Sequence, residues 1–179
     1  AEFPAARDDV VDAIRWIREN ANRFDVDPAR IALLGGSAGA NLSLLAATLG
    51  EGALDREARV AAVVAWSPPV DLRSPPTPLI AELTTAYLGC DPEDCVDRAA
   101  AASPHTHVDP SDPPALVVTS ATEIVPRSEA ERMADELRAA EVDHRLVVLP
   151  GNAHASAYRD EIWTDTVSFL RTHLAPPPG

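Results

Sequence analysis

Apolar positions recur along this chain with two different rhythms. In DDVVDAIRWIREN, Val10, Val11, Ile14 and Ile17 return every three or four residues, the spacing of one helical face, and predict an amphipathic helix over 7–21. The connection FDVDPAR follows, with Pro28 suited to a turn. Four short runs then lack polar alternation: IALLG (31–35), VAAVVAW (60–66), ALVVTS (115–120) and RLVVLPG (145–151). Runs of this kind are expected for strands buried on both faces. Helical patterns separate or follow them at 37–50, part of 79–88, 127–140 and 157–173. In RSEAERMADELRAA (127–140), charges occupy one side and Ala130, Met133, Ala134 and Leu137 the other, as on an outer helix. Alternating strand and helix implies parallel strands joined by right-handed crossovers. The expected fold is therefore α/β, with about four parallel strands flanked by helices.

Composition narrows the partners. The 179 residues are 46% hydrophobic, enough for one globular domain or a large part of one. Lys plus Arg is 15 against 28 Asp plus Glu, a formal net charge of -13. That balance argues against nucleic acid, whose phosphates reward cations, and against an anionic membrane surface. No apolar run approaches a bilayer span, and AEFPAARDDV lacks the pattern of a signal peptide. The tail APPPG (175–179) is expected to be disordered.

The chemistry concentrates at one strand-to-helix junction. Gly35-Gly36-Ser37-Ala38-Gly39 fits G-x-S-x-G where an apolar run meets a helical pattern. A sharp turn there forces a strained backbone on Ser37, and glycines on either side are expected to remove colliding side chains. The hydroxyl then stands at the carboxyl end of the strand, before the free N–H groups of a helix N-terminus. A serine nucleophile needs a base and an orienting acid, in this architecture in the order serine, acid, histidine. TSATEIVP sets Glu123 just past strand 115–120, and PGNAHAS sets His154 just past strand 145–149. Both fall on the edge that carries Ser37. Asp71, in SPPVDL after strand 60–66, shares that edge and is the second candidate acid. His144 precedes a strand on the opposite edge, His173 closes the last helix, and His105 and His107 lie in a loop. Neither a metal nor a cofactor is called for.

FPAARDDVVDAIRWIRENANRFDVDPARIALLGGSAGANL, ASPHTHVDPSDPPALVVTS and LPGNAHAS together resemble the α/β-hydrolase superfamily. The likeness is strongest to hormone-sensitive-lipase-like esterases and to the bacterial feruloyl-esterase-like (BD-FAE) carboxylesterases. Members usually carry Asp within H-G-x-x-D-x-x-V-P; here TSATEIVP is one residue shorter, lacks the His-Gly pair and has Glu. They also carry a His-Gly-Gly loop that supplies oxyanion N–H groups, and this chain has none. The resemblance implies that residues 1–174 form the C-terminal portion of one hydrolase domain, completed by an upstream segment or a second chain. It leaves the N–H of Ala38, next to the nucleophile, as an oxyanion donor. It also leaves one edge of the sheet open. The activity it implies is hydrolysis of short acyl or aryl esters through an acyl-enzyme. The alternatives are a silent hydrolase-fold module and an acylaminoacyl- or dipeptidyl-type peptidase.

Two further features bear on surroundings. Cys90 and Cys95 enclose DPED, and a disulfide across this turn is expected, and with it export from the cytoplasm; the other reading is two free thiols in a reducing cytosol. SPPVDLRSPPTPL (67–79) has five prolines and is a stiff loop on the active edge, either a pocket wall or an inert crossover.

Overall fold

The computed structural model describes residues 2–176. The chain runs α1 (Ala5–Glu19), α2 (Ala21–Phe24), β1 (Ala32–Gly36), α3 (Ala38–Thr48), β2 (Ala62–Trp66), α4 (Pro78–Leu88), α5 (Val96–Ala101), β3 (Ala115–Ser120), α6 (Arg127–Ala139), β4 (His144–Leu149) and α7 (Arg159–His173). Short 3-10 turns occupy Pro104–Thr106 and Ala155–Tyr158. Of the tail expected to be disordered, Ala175 and Pro176 are exposed and irregular, and residues 177–179 lie outside the described residues.

The four strands lie side by side in chain order, all parallel. All carboxyl ends therefore share one edge, which decides where chemistry can converge. Successive side chains alternate between faces. On one face Val63, Ala65 and Val117 meet α3 and α6 through Leu44, Met133 and Leu137, and Ile14 of α1 joins the same core. On the other, Val64, Leu116 and Val118 pack with Tyr158 and with Ile162 of α7.

The continuous apolar runs hold in full only for the two central strands. β2 and β3 are buried throughout, while β1 and β4 are the sheet edges and expose Leu34 (42%) and Val148 (39%). The helix expected over 7–21 ends at Glu19, and a separate turn follows. Asn20 explains the break: its side-chain amide donates to Trp16 O at 2.8 Å, competing with continuation of the helix. Asp25, at φ 52, then turns the chain left-handed. The six-residue α5 carried no readable period.

α4 shows how local sequence builds a wall of the site. Thr77 caps it by accepting from Ile80 N–H at 3.3 Å, Pro78 fills the first turn, and Gly89 closes it at φ 74. Cys90 and Cys95 follow directly and are disulfide-bonded, packing with Leu88 and Ala99. The bond ties the end of α4 to α5.

Candidate active site

Ser37 is the single residue between β1 and α3, at φ 56 and ψ -123. A residue with a Cβ is strained there and persists because its surroundings over-determine it. Its N–H donates to Trp66 O at 2.8 Å, and its carbonyl accepts from Ala40 (2.9 Å) and Asn41 (3.2 Å). The glycines around it do unequal work. A Cβ on Gly35 would lie 2.1 Å from Gly39 O, and one on Gly36 would lie 3.1 Å from the Cβ of Ala155. A Cβ on Gly39 would meet open space, contrary to the expectation from the motif. The crowded atom of Gly39 is its carbonyl, against which Gly35 packs. The N–H of Ala38, at the start of α3, has no hydrogen-bond acceptor among the described residues.

Glu123 lies three residues past β3, with its side chain fully buried. Its Oε1 accepts from Ser120 N–H (2.8 Å), Thr119 Oγ1 (2.7 Å) and Ser67 Oγ (2.9 Å). Its Oε2 is in contact with His154 Nδ1. The segment carrying His154 is clamped on both sides. Ser120 Oγ donates to Ala153 O at 2.6 Å, and Ala155 N–H donates to Ser67 Oγ at 2.9 Å. The structure thus joins Glu123 to His154. It makes no hydrogen bond from Ser37 Oγ to His154; the approach of Gly36 to Ala155 is what brings the histidine loop onto the serine turn. A bond between a candidate nucleophile and its candidate base commonly tightens only with substrate in place.

Asp71 is engaged elsewhere. Arg73 grips it through Nε (2.9 Å to Oδ1) and Nη2 (3.1 Å to Oδ2), and the same Nη2 lies 3.0 Å from Nε2 of buried His105. Glu129, also buried, accepts from the N–H groups of Val70 (2.8 Å) and Asp71 (2.9 Å) and pins this loop. Burial pushes the Asp71 carboxyl up, but the side-chain and backbone hydrogen bonds of Arg73 and the charges of His105 and Arg73 outweigh it, holding the group at about 2. Burial pushes His105 below its ordinary value, against the pull of Asp71. A depressed carboxyl pKa contributes stability above the unfolded value of 3.8, and that contribution is lost as pH falls toward about 2. Asp71→Asn is therefore expected to lower the unfolding free energy by roughly 2 kcal/mol at neutral pH. In urea titrations the gap to wild type should close between pH 4 and pH 2; a gap independent of pH would contradict this account.

The other histidines serve local structure. His144 opens β4 on the opposite edge, with Nδ1 2.8 Å from Val142 O; His107 Nε2 lies 3.1 Å from Ala101 O; and His173 lies 3.8 Å from Asp143. Sequence reasoning missed Ser67, Thr119, Tyr158 and Glu129. The available signal was polar residues closing apolar strands, in AWS and VVTS.

Beside Ser37 a cavity of about 300 Å³ opens between the N-terminus of α3 and α4. Leu42, Leu72, Ile80, Leu83 and Tyr87 make it apolar, and Pro69 and Leu72 show that the proline-rich loop forms part of its wall.

Four likenesses to known proteins bear on this arrangement. The chain is 49% identical over 47 residues to the carboxylesterase NlhH of Mycobacterium tuberculosis; the match covers 26% of this chain but 15% of that enzyme's length. A truncated carbohydrate esterase from gut microbiota superposes with a TM-score of 0.85 at 25% identity, over 98% of this chain and 70% of that one. A bifunctional GH43-CE protein of Bacteroides eggerthii does so with 0.82 at 27% identity, over 98% of this chain and 26% of that one. The BD-FAE family model matches residues 1–137, three quarters of the sequence, with the serine turn, the cavity wall and Glu123 inside the match, and the chain belongs to that family.

Proposed function

We propose that this protein is a serine esterase that cleaves short acyl or aryl carboxylic esters through an acyl-enzyme. The observation that carries the reading is the Glu123–His154 contact, held at the carboxyl ends of adjacent strands beside a strained serine. In this mechanism Ser37 Oγ attacks the ester carbonyl carbon while His154 Nε2 takes its proton. Glu123 holds the Nδ1–H, so the accepting nitrogen faces the serine. The oxygen that becomes negative meets the Ala38 N–H and the N-terminus of α3. The intermediate collapses, the C–O bond breaks, and His154 returns the proton to the leaving alcohol. Water, deprotonated by the same imidazole, then releases the acid and regenerates Ser37. The apolar cavity supports a short uncharged substituent on the ester. Covalent labelling of Ser37 by a fluorophosphonate, with turnover of p-nitrophenyl acetate and none of peptide p-nitroanilides, is the expected result. Labelling without turnover would favour a silent module, and anilide cleavage would favour a peptidase.

Two features of setting belong to the same proposal. Residues 1–174 act as the C-terminal portion of one hydrolase domain, completed by an upstream segment or a second chain. The edge of β1, unpaired among the described residues, and the exposed Leu34 support this, since bare strand edges invite pairing. An N-terminally extended form should aggregate less and turn over faster; equal behaviour of both forms would contradict completion. The Cys90–Cys95 bond supports an extracytoplasmic location, because such bonds persist in oxidising compartments. No helix among the described residues is long and apolar enough to cross a membrane.

A further inference from the structure

We infer that Ser67 is the positioning residue of this site: one hydroxyl that orients both the acid and the base, with Tyr158 acting through it. The inference rests on the proposed roles of Glu123 and His154. Ser67 follows the last residue of β2, is wholly buried, and holds φ 54, a conformation that disfavours any residue but glycine. A serine kept there against its backbone preference points to a use for the hydroxyl.

The protons can be counted. An ionised carboxylate only accepts, so the 2.9 Å contact between Ser67 and Glu123 Oε1 uses the single Ser67 proton. The contact to Tyr158 Oη, at 2.8 Å, must then be donated by the phenol. Ala155 N–H fills the remaining lone pair of Ser67 Oγ at 2.9 Å. The hydroxyl is thereby saturated, one bond given and two received. The donors form a directed chain: Tyr158 O–H to Ser67, Ser67 O–H to Glu123, with Glu123 Oε2 facing His154 Nδ1. Tyr158 Oη also lies 3.2 Å from Val118 O, a longer contact that can share its proton. Burial pushes the Tyr158 phenol well above its ordinary value, the Ser67 hydrogen bond pulls the other way, and the Glu123 charge pushes it up further. The phenol therefore stays a donor.

The geometry serves both partners at once. Ser67 fixes the carboxylate rotation by holding Oε1, and it fixes the histidine loop by holding the N–H of the residue after His154. It stands just past the carboxyl end of β2, between the strand that leads to Ser37 and the strand that leads to Glu123. The titratable groups in contact with this network are Glu123, His154 and Tyr158.

The test uses Ser67→Ala, Ser67→Gly, Tyr158→Phe and the double variant Ser67→Ala/Tyr158→Phe. Glycine is the control for folding, since it suits φ 54 and removes the hydroxyl without strain. Both Ser67 variants are expected to lower kcat by about 10- to 100-fold, the scale of one hydrogen bond to a charged group, with KM unchanged. Tyr158→Phe should cost less, and should cost nothing further in the Ser67→Ala background. A readout independent of turnover is the downfield proton resonance of His154 Nδ1–H, which should exchange faster with solvent in both Ser67 variants. Wild-type kcat together with wild-type exchange in Ser67→Gly would overturn the inference, as would an undiminished Tyr158→Phe effect in the double variant. If Ser37→Ala instead retained full turnover, the esterase reading would fall, and the exchange measurement would still decide the role of Ser67.

Discussion

Replacing Ser37 with alanine is expected to lower turnover of p-nitrophenyl acetate by about 10⁴- to 10⁶-fold, the scale seen when a nucleophile acting in concert with its base is removed. In the proposed mechanism its hydroxyl is the attacking atom, and Ser37 lines the apolar cavity. The loss should come without unfolding. Ser37 holds its place through main-chain bonds to Trp66, Ala40 and Asn41, none of which involves its side chain. Alanine at φ 56 carries the same strain as serine, so the thermal midpoint should match wild type. Fluorophosphonate labelling should vanish with the activity. A purified variant with wild-type turnover and an unchanged melt would remove Ser37 from the mechanism.

Much of this arrangement was legible because parallel topology is a strong constraint. Once the apolar runs at 31–35, 60–66, 115–120 and 145–149 are strands joined by helices, their carboxyl ends must share an edge. Ser37, Glu123 and His154 each follow such an end, so their placement on one edge needed no side-chain detail. What could not be read was choice among neighbours on that edge. Asp71 sits there too, but Arg73 two residues on and His105 from a distant turn draw its carboxylate away. Nothing in SPPVDL encodes a partner that arrives from another segment. Ser67 stayed hidden for the same reason: its neighbours Glu123, Ala155 and Tyr158 come from two later parts of the chain. An open edge was expected, but which side chains it would expose was not legible, because Leu34 and Val148 are as apolar as the buried positions and only their place in the sheet distinguishes them. Gly39 fits the motif, yet the space around its Cα depends on where Gly35 packs.

Glu123→Gln is the other change with a very large expected effect, and the hydrogen bonds around the carboxylate set its direction. Oε1 receives three donors, from Ser67, Thr119 and Ser120 N–H. A glutamine must choose which end faces them. Turning its amide nitrogen toward three donors would leave buried groups unsatisfied, at a cost of about 1–3 kcal/mol for each. The carbonyl oxygen therefore takes the Oε1 position, and the NH2 is forced onto the Oε2 position, facing His154 Nδ1. That NH2 can only donate, so Nδ1 must accept, and the imidazole proton moves to Nε2. An Nε2 that carries a proton cannot take one from Ser37. Turnover is expected to fall by about 10⁴-fold, as for other triads held in the wrong tautomer, with KM nearly unchanged and the fold intact. Asp71→Asn, made beside it, should keep most of the activity despite its loss of stability, because Asp71 faces Arg73 and His105 rather than His154. The opposite ranking, with Asp71→Asn the more damaging to kcat, would move the acid's role from Glu123 to Asp71.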